Sequence, residues 1–481
     1  MDPERRLNQR IDDLRRYFDE RAAQRARWKR KNRYYYRKLE QYYGLVIPAG
    51  AKVLEIGSGD GDLLASLKPS RGVGIDLSGA AVSAAAQKHP KLEFRSEAAE
   101  TFRLRPGETF DFIVLSDLVG HLDDVQKVFE NLHQACTPST RIVMNYYNYL
   151  WEPALRLGSI LGLRMNEKIQ NWLSLQDLEN LFYISGFETI TKMRKVLLPV
   201  GIPLFSDAVN RFIANQPFVN RLCLLGFIVS RVKPKPAAQP KPPSISIVIP
   251  CRNEKGNIEE LVRRIPDFPG ESEILFVDGR STDGTLEEIN RVAEVYHRRP
   301  IRTLVQEEAT GKGGAVRLGF EESRGDILII LDGDISVPPE SLVKFYDQLV
   351  SRNGEFINGT RMVYPMEKQA MRFLNVGGNK FFSLAFSYLL DQRIKDTLCG
   401  TKALYRSDYQ KIAQNRAFFG DFDPFGDFDL LFGAAKLNLK IVEVPVRYFE
   451  RRYGTTKIHR FRHGLLLLRM CLIATLKLKF I

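Results

Sequence analysis

The sequence predicts an α/β protein of two domains in series, on three observations. Apolar runs of strand length recur, each followed by a turn and a helical pattern, the signature of a parallel sheet with helices packed on it. The series starts twice, at KVLEIGSGDGD from Lys52 and at ISIVIPCRNE from Ile245. Between them runs VKPKPAAQPKPPS, residues 232–244, whose prolines fix φ and donate no hydrogen bond, so it stays extended and offers a core nothing. The expected division is a basic helical segment over 1–44, a first α/β domain over 45–231, a linker over 232–244 and a second α/β domain over 245–481.

Of 481 residues, 44% are hydrophobic and 27% charged, the balance of a globular chain. The five cysteines are scattered without C-x-x-C spacing, which predicts a reducing compartment, no disulfide and no zinc site. The opening MDPERRLNQR has no apolar signal core and no run of 18 apolar residues follows. The expectation is therefore a cytoplasmic protein without a transmembrane helix. The net charge of +14 is concentrated at the ends. Residues 1–40 hold 14 Lys/Arg against 7 Asp/Glu, and residues 447–481 hold 9 against 1. Basic ends of this kind meet nucleic acid, anionic lipid or a phosphorylated substrate, or form solvated basic helices.

The first segment, QRARWKRKNRYYYRKLEQYYG, mixes basic residues with tyrosines. It reads either as a nucleic-acid stripe or as a helix capping the site that follows, and the cap is preferred. The next element, AKVLEIGSGDGDLLASL, is an apolar strand that turns through Gly57, Gly59 and Gly61 into a helix. Such a turn lets a ligand approach backbone that no side chain obstructs. A second strand, GVGID, ends in Asp76, placed to accept hydrogen bonds from ribose hydroxyls. KLEFRSEAAE brings Glu97 to the same edge, and FDFIVLSDLVGHL brings Ser116 and Asp117, with His121 shortly after. Asp117 and His121 are candidates for a base, and His121 equally for a wall of the site. The stretch from Asn145 to Pro217 is rich in aromatic and apolar residues; it forms an acceptor pocket or packs on the sheet.

The run E-x-G-x-G-x-G from Glu55 to Gly61, Asp76 at the second strand and the FDFIVLSDLVGHLDD block resemble class I S-adenosylmethionine-dependent methyltransferases over roughly residues 45–232. The resemblance implies a Rossmann-like fold with GFIVSRV as a final antiparallel strand. It implies that Glu55, Gly57, Gly59 and Gly61 face the methionine part of S-adenosyl-L-methionine, that Asp76 holds its ribose, and that Glu97 and Ser116 lie around the rest.

After the linker, ISIVIPCRNE and EILFVDGRSTDGT repeat the strand-then-turn design, bringing Asp278 to a strand end. GDILIILDGDISVPPE then reads as a fully buried strand over Ile327–Leu331 that delivers Asp332 and Asp334 into a glycine turn. Two carboxylates so close repel unless a cation sits beside them, and hard oxygen ligands select Mg2+ or Mn2+ able to bridge to a diphosphate. Near the end, Arg451, Arg452 and Lys457 flank Gly454 as a cluster fit for phosphate. The last apolar portion, within HRFRHGLLLLRMCLIATLKLKFI, is too short to span a bilayer and suits an amphipathic helix at its surface.

PCRNE, VDGRSTDGT, GKGGAVRLGF, the D-x-D turn, NGTR, DTLCGTKALYR and ERRYGTTK together resemble family 2 glycosyltransferases of the GT-A fold. Within these, the resemblance is to the polyprenyl-phosphate (dolichyl-phosphate) mannosyltransferase group, over about residues 244–470. It implies that Pro250, Glu254, Asp278, Lys312 and Asp332 bind a GDP- or UDP-linked sugar, with Asp332 and Asp334 at the metal. It further implies that Arg361, Arg451 and Lys457 meet the acceptor phosphate, and that Asp427 or Asp429 acts as base if the acceptor is a hydroxyl. Arg252, Gly279 and Ser336 depart from the pattern, where tyrosine, aspartate and glutamine are common. The combined expectation is a bifunctional transferase, peripheral at the inner face of the membrane, acting on a polyprenyl phosphate or glycolipid. The alternative is a glycan hydroxyl acceptor with the first half a cofactor-binding or docking module. Nucleic acid is the least expected partner.

Overall fold

Several parallel strands of this chain stop where an apolar run meets a glycine or an acidic residue, at Gly57, Asp76, Asp278 and Asp332. The computed structural model describes residues 3–165, 173–234, 241–308, 311–363, 373–416, 427–451, 453 and 460–480. The chain divides into two units, residues 1–233 and 234–479.

In the first unit two helices, α1 (Pro3–Lys31) and α2 (Arg33–Val46), precede the sheet. Its strands are β1 (Lys52–Ile56), β2 (Arg71–Asp76), β3 (Glu93–Ser96), β4 (Phe112–Ser116), β5 (Arg141–Tyr147), β6 (Phe187–Lys195) and β7 (Leu225–Val232). They lie in the order β3-β2-β1-β4-β5-β7-β6. β1 to β5 are parallel, and β7 runs antiparallel between β5 and β6. GFIVSRV is thus the antiparallel strand that the sequence implied. β1, β4 and β5 are buried almost throughout, and both faces of the sheet carry an apolar core, as a sheet covered on both sides requires.

The second unit's strands are β8 (Ile245–Cys251), β9 (Ser272–Asp278), β10 (Ile301–Val305), β11 (Ile327–Ile330), β12 (Phe356–Thr360), β13 (Lys402–Tyr405) and β14 (Ile441–Pro445). Their order is β10-β9-β8-β11-β13-β12-β14. β8 to β11 are parallel; β13 is antiparallel to both β11 and β12, and β14 pairs parallel with β12. Leu331, expected inside the buried strand, follows β11 and still donates its N–H to the Val248 carbonyl at 3.0 Å.

Gln392, Asp396 and Arg361 tie the antiparallel half together. The Arg361 guanidinium meets Asp396 through Nε at 2.7 Å and Nη2 at 2.9 Å, and Asn379 Nδ2 adds a bond to Asp396 at 3.0 Å. Gln392 bonds the backbone of Leu439 and Ile441. The helix Arg460–Ala474 buries Leu467, Met470, Cys471 and Ala474 in the core beside Phe382 and Phe386. Among the described residues, no helix is long and apolar enough to cross a membrane.

Candidate active sites

The parallel strands β1, β2 and β4 end at one edge, and α1 and α2 close over it to enclose a cavity of about 360 Å³. Its sheet-side wall holds Glu55, Gly57, Asp76, Glu97 and Ser116. Helix α1 is pinned there by charge: Lys29 Nζ reaches Asp60 at 2.5 Å and Asp62 at 2.8 Å, and Asp19 accepts from Ser78 Oγ at 2.6 Å. The basic segment is therefore a cap on this cavity, and Tyr35 and Tyr36 of α2 line it.

The three glycines have different tasks. Gly57 lines the cavity. At Gly59 a Cβ would stand 3.0 Å from Arg25 Cζ, so its backbone lies beneath that guanidinium. At Gly61 a Cβ would press within 2.5 Å of Phe94 Cζ, away from the cavity. Gly61 thus serves the turn, at φ 74°, and its packing on β3, and the expectation that it faces a cofactor is corrected.

Asp76 is bonded by two backbone N–H groups, Gly59 N at 2.7 Å and Ser78 N at 2.9 Å, which fixes its carboxylate at the tip of β2. Glu97 accepts from Arg103 N at 3.0 Å. Glu55 is 2% exposed, and its Oε2 and the neighbouring Ser58 Oγ have no hydrogen-bond partner. Burial pushes the Glu55 carboxyl up to about 8, against the pull of Lys29. A buried carboxyl oxygen and a hydroxyl without partners, both lining the cavity beside a glycine turn, fit the cationic ammonium of a bound amino acid moiety.

Asp117 sits at φ 51°, a strained conformation for a residue with a side chain. Tyr35 of α2 donates to both its oxygens, at 2.9 and 2.8 Å, and Asn145 Nδ2 donates at 2.5 Å. Burial holds the Tyr35 phenol well above its ordinary range, so it stays a donor. Sequence reasoning named Asp117 but missed Tyr35 and Asn145, whose only signal was a tyrosine-rich helix and the end of β5. His121 lines the cavity and meets Phe18 of α1 edge-on, centroids 5.5 Å apart.

In the second unit the ends of β8, β9 and β11 converge in the same way. Asp278 accepts from Ser281 N at 3.0 Å and from the Ser281 hydroxyl, while Asn253 N donates to that hydroxyl at 2.8 Å. Glu254 N bonds Thr285 Oγ1 at 2.9 Å, and its carboxylate takes Asn257 Nδ2 at 2.7 Å. The turns after β8 and β9 are thereby one hydrogen-bonded unit, with Pro250 as the penultimate residue of β8.

The D-x-D turn is fully engaged with cations. Lys312 Nζ lies 2.6 Å from Asp332 Oδ1, and Arg451 Nη2 lies 2.7 Å from Asp334 Oδ2. Burial raises the Asp332 carboxyl and Lys312 outweighs it, leaving it below its ordinary range. Ser336 N donates to Asp334 Oδ1 at 3.0 Å, and Phe449 N donates to the Ser336 carbonyl at 2.9 Å, so the segment carrying Arg451 is stitched to the turn. Gly400 was missed: a Cβ there would fall 2.2 Å from Asp332 Oδ2 and 2.3 Å from Lys312 Nζ. Lys402 was missed as well. It is fully buried, donates to the Cys399 carbonyl, and adds positive potential at Asp332.

Two expectations change here. Arg361 was expected at an acceptor phosphate, yet its fork is taken by buried Asp396, and its side chain is only 10% exposed. Asp429, a candidate base, is held by Arg416 Nε at 2.9 Å and Arg317 Nη2 at 3.4 Å, the surroundings of an anchoring carboxylate. The side chain of Asp427 and all of Lys457 lie outside the described residues. Among the described residues, no group of three or more His, Cys, Asp and Glu side chains forms a metal cage.

Comparison with known proteins agrees with both architectures. The model for glycosyl transferase family 2 matches residues 246–412 and a methyltransferase domain model matches residues 28–192. The chain joins a methyltransferase domain to a family 2 glycosyltransferase domain. The glycosyltransferase domain is similar to dolichol-phosphate mannosyltransferases. Identity to that of Saccharomyces cerevisiae is 33% over 24% of this chain and 44% of the relative, and to that of Pyrococcus furiosus 29% over 44% and 59%. The chain thus spans roughly half the length of these two relatives. A glycosyltransferase of Haloferax volcanii, AglJ, is 28% identical over 47% of this chain and 70% of its own. Among solved structures, a methyltransferase of Thermotoga maritima described as a possible histamine N-methyltransferase aligns with TM-score 0.36 at 15% identity, covering 46% of this chain and 99% of its own.

Proposed function

We propose that the glycosyltransferase domain moves a sugar from a nucleoside diphosphate to a polyprenyl phosphate, or a related glycolipid, and that the methyltransferase domain uses S-adenosyl-L-methionine on a sugar or glycan-related substrate. The observation that carries the first part is the pairing of Asp334 with Arg451 across a turn that also holds Asp332 and Lys312. Donor and acceptor of such a reaction both bring phosphates, and this turn gathers two carboxylates and two cations at one strand end.

Asp278 and Glu254 would hold the nucleoside, and Lys312 would meet the diphosphate when the donor enters. Asp332 and Asp334 would hold Mg2+ or Mn2+, whose chemistry there would be charge neutralisation for the leaving group. Arg451 would orient the acceptor phosphate, whose oxyanion attacks without needing a base to deprotonate it. A hydroxyl acceptor would need such a base, and the pairing of Asp429 with two arginines disfavours that residue for the task.

In the methyltransferase domain, Glu55 and Ser58 fit the amino acid end of the cofactor and Asp76 its ribose. S-adenosyl-L-methionine, when bound, would supply the methyl group, while α1 and α2 cover the cavity and Tyr35 keeps Asp117 oriented. Membrane contact is supported by Leu465, Leu468, Leu472 and Leu476, which leave one face of the C-terminal helix and its last turn exposed and apolar.

The test is transfer from labelled GDP- and UDP-sugars to a short-chain polyprenyl phosphate with Mn2+ or Mg2+. Lipid-soluble product that both Asp334→Ala and Arg451→Ala abolish supports the reading. Product absent with every donor, despite nucleotide binding, rejects it in favour of a hydroxyl acceptor.

A further inference from the structure

The cavity of the methyltransferase unit leaves the sheet edge and ends among Trp151, Leu155, Leu163 and Val200. Leu163 and Val200 both line it and are more than half exposed. Around that mouth the surface is apolar. Leu157, Ile160 and Leu161, close in sequence to Leu155 and Leu163, and Ile202, Leu204 and Phe205, just after Val200, are exposed. The segments are locked together where Trp151 Nε1 donates to the Leu222 carbonyl at 2.7 Å and Asn148 Nδ2 to the Arg221 carbonyl at 2.8 Å.

Two residues of this surface are held outward by strained backbone. Leu204 has φ 62°, ψ −41°, and Phe218 has φ 70°, ψ −50°. Each is the middle of a three-residue γ-turn after a proline, closed by Phe205 N to the Pro203 carbonyl at 2.7 Å and by Val219 N to the Pro217 carbonyl at 2.9 Å. This form of the γ-turn is rare and strained. It is used here twice, on side chains that are 88% and 78% exposed. Strain spent on exposing a large apolar group has no folding benefit to offset it.

The charge around the patch names its occupant. Residues 149–165 and 194–222 hold six Lys/Arg and two Asp/Glu; Lys195 is buried and Arg156 pairs with Glu152, and the others are Arg164, Arg194, Arg211 and Arg221. The Arg221 guanidinium stands over the Phe218 ring, 5.7 Å from its centroid. An apolar surface edged with long cationic side chains suits an anionic bilayer: the apolar tips enter the acyl boundary and the cations stay among the head groups. A soluble protein partner would not require wedges aimed straight outward.

We propose that the methyltransferase unit docks on anionic membrane through Leu204, Phe218 and the apolar rim of its cavity, and takes its methyl acceptor from the bilayer as a lipid-borne molecule. This deepens the methyltransferase reading and is independent of the acceptor of the glycosyltransferase.

The experiment is flotation of the full chain with phosphatidylcholine vesicles, with and without phosphatidylglycerol. It is run in a Leu465→Ser/Leu472→Ser background so that the terminal helix does not report. Adding Leu204→Gly/Phe218→Gly removes both wedges while relieving the strain, so the melting temperature should hold or rise. The expected result is binding that requires phosphatidylglycerol and falls about tenfold with the glycine pair. Absence of binding before the glycine changes overturns the proposal, as does binding that survives them. A dimer in sedimentation velocity that the glycine pair dissociates also overturns it, by assigning the patch to a second copy. Sugar transfer to a short-chain acceptor in solution should be indifferent to the glycine pair, so failure here is separable from failure of the proposed function.

Discussion

Arg451 Nη2 lies 2.7 Å from Asp334 Oδ2, joining the second carboxylate of the D-x-D turn to a basic segment 117 positions later in the sequence. The Asp334 side chain is 7% exposed and that of Arg451 29%, so the pair is partly screened and its loss should cost only about 1 kcal/mol of stability. Arg451→Ala should instead lower kcat/KM for a short-chain polyprenyl phosphate tenfold or more, roughly 1.4 kcal/mol. Arg451→Lys should recover part of it, because the charge returns without the fork. Steady-state kinetics with varied acceptor checks both.

Gly400→Ala should disable the donor site with little effect on the rest. The new methyl would fall 2.2 Å from Asp332 Oδ2 and 2.3 Å from Lys312 Nζ. Lys312 can swing aside, but Asp332 follows a buried strand and cannot. Donor affinity, read by titrating nucleotide-sugar, should weaken about tenfold or more, while S-adenosyl-L-methionine binding to the other domain stays unchanged.

Glu55 should make both stability and cofactor binding pH-dependent. Its carboxyl, raised by burial from 4.5 to about 8, keeps its proton in the folded chain after the unfolded chain has lost it. Stability therefore falls as pH rises through that window, by up to about 1.4 kcal/mol per unit, and levels off above it. Glu55→Gln should remove this slope in thermal melts of the methyltransferase unit. A cationic cofactor would draw the carboxyl to its ionised form, so binding at neutral pH should release a proton. Calorimetric titration in two buffers of different ionisation enthalpy should detect that release in the wild type and lose it in Glu55→Gln.

Asp396→Ala should be a folding defect of the glycosyltransferase unit. It strands the Arg361 guanidinium, whose protonated form Asp396 favours against the cost of burial. Removing one partner of a buried pair costs about 3–5 kcal/mol. Scanning calorimetry should show the transition of that unit lowered and that of the methyltransferase unit kept.

The strand ends were legible because the signal is local. An apolar run that stops at Asp76, Asp278 or Asp332 states in a few residues both where a strand lies and what it carries to the sheet edge. The glycines at 57, 59 and 61 announced a turn, but which of them faces the cavity depends on what packs behind each one, here Leu118, Arg25 and Phe94. The aromatic stretch from Asn145 to Pro217 read equally as pocket or packing. It does both, since Trp151 and Val200 line the cavity while Phe182 and Phe187 are buried in the core on the sheet.

By itself the sequence determined two α/β domains and the acidic tips of their parallel strands, because periodicity and turn chemistry act over a few residues. Tertiary structure alone decided the partners of the charges. Arg361 looked like a phosphate ligand until Asp396 was brought beside it, and Asp429 like a base until two arginines closed on it. Asp332 and Gly400 meet because β11 and β13 pair, and Lys312 reaches Asp332 from the helix Gly311–Glu322. Charge interacts through space, and its neighbours are set by the fold, not by the order of the chain.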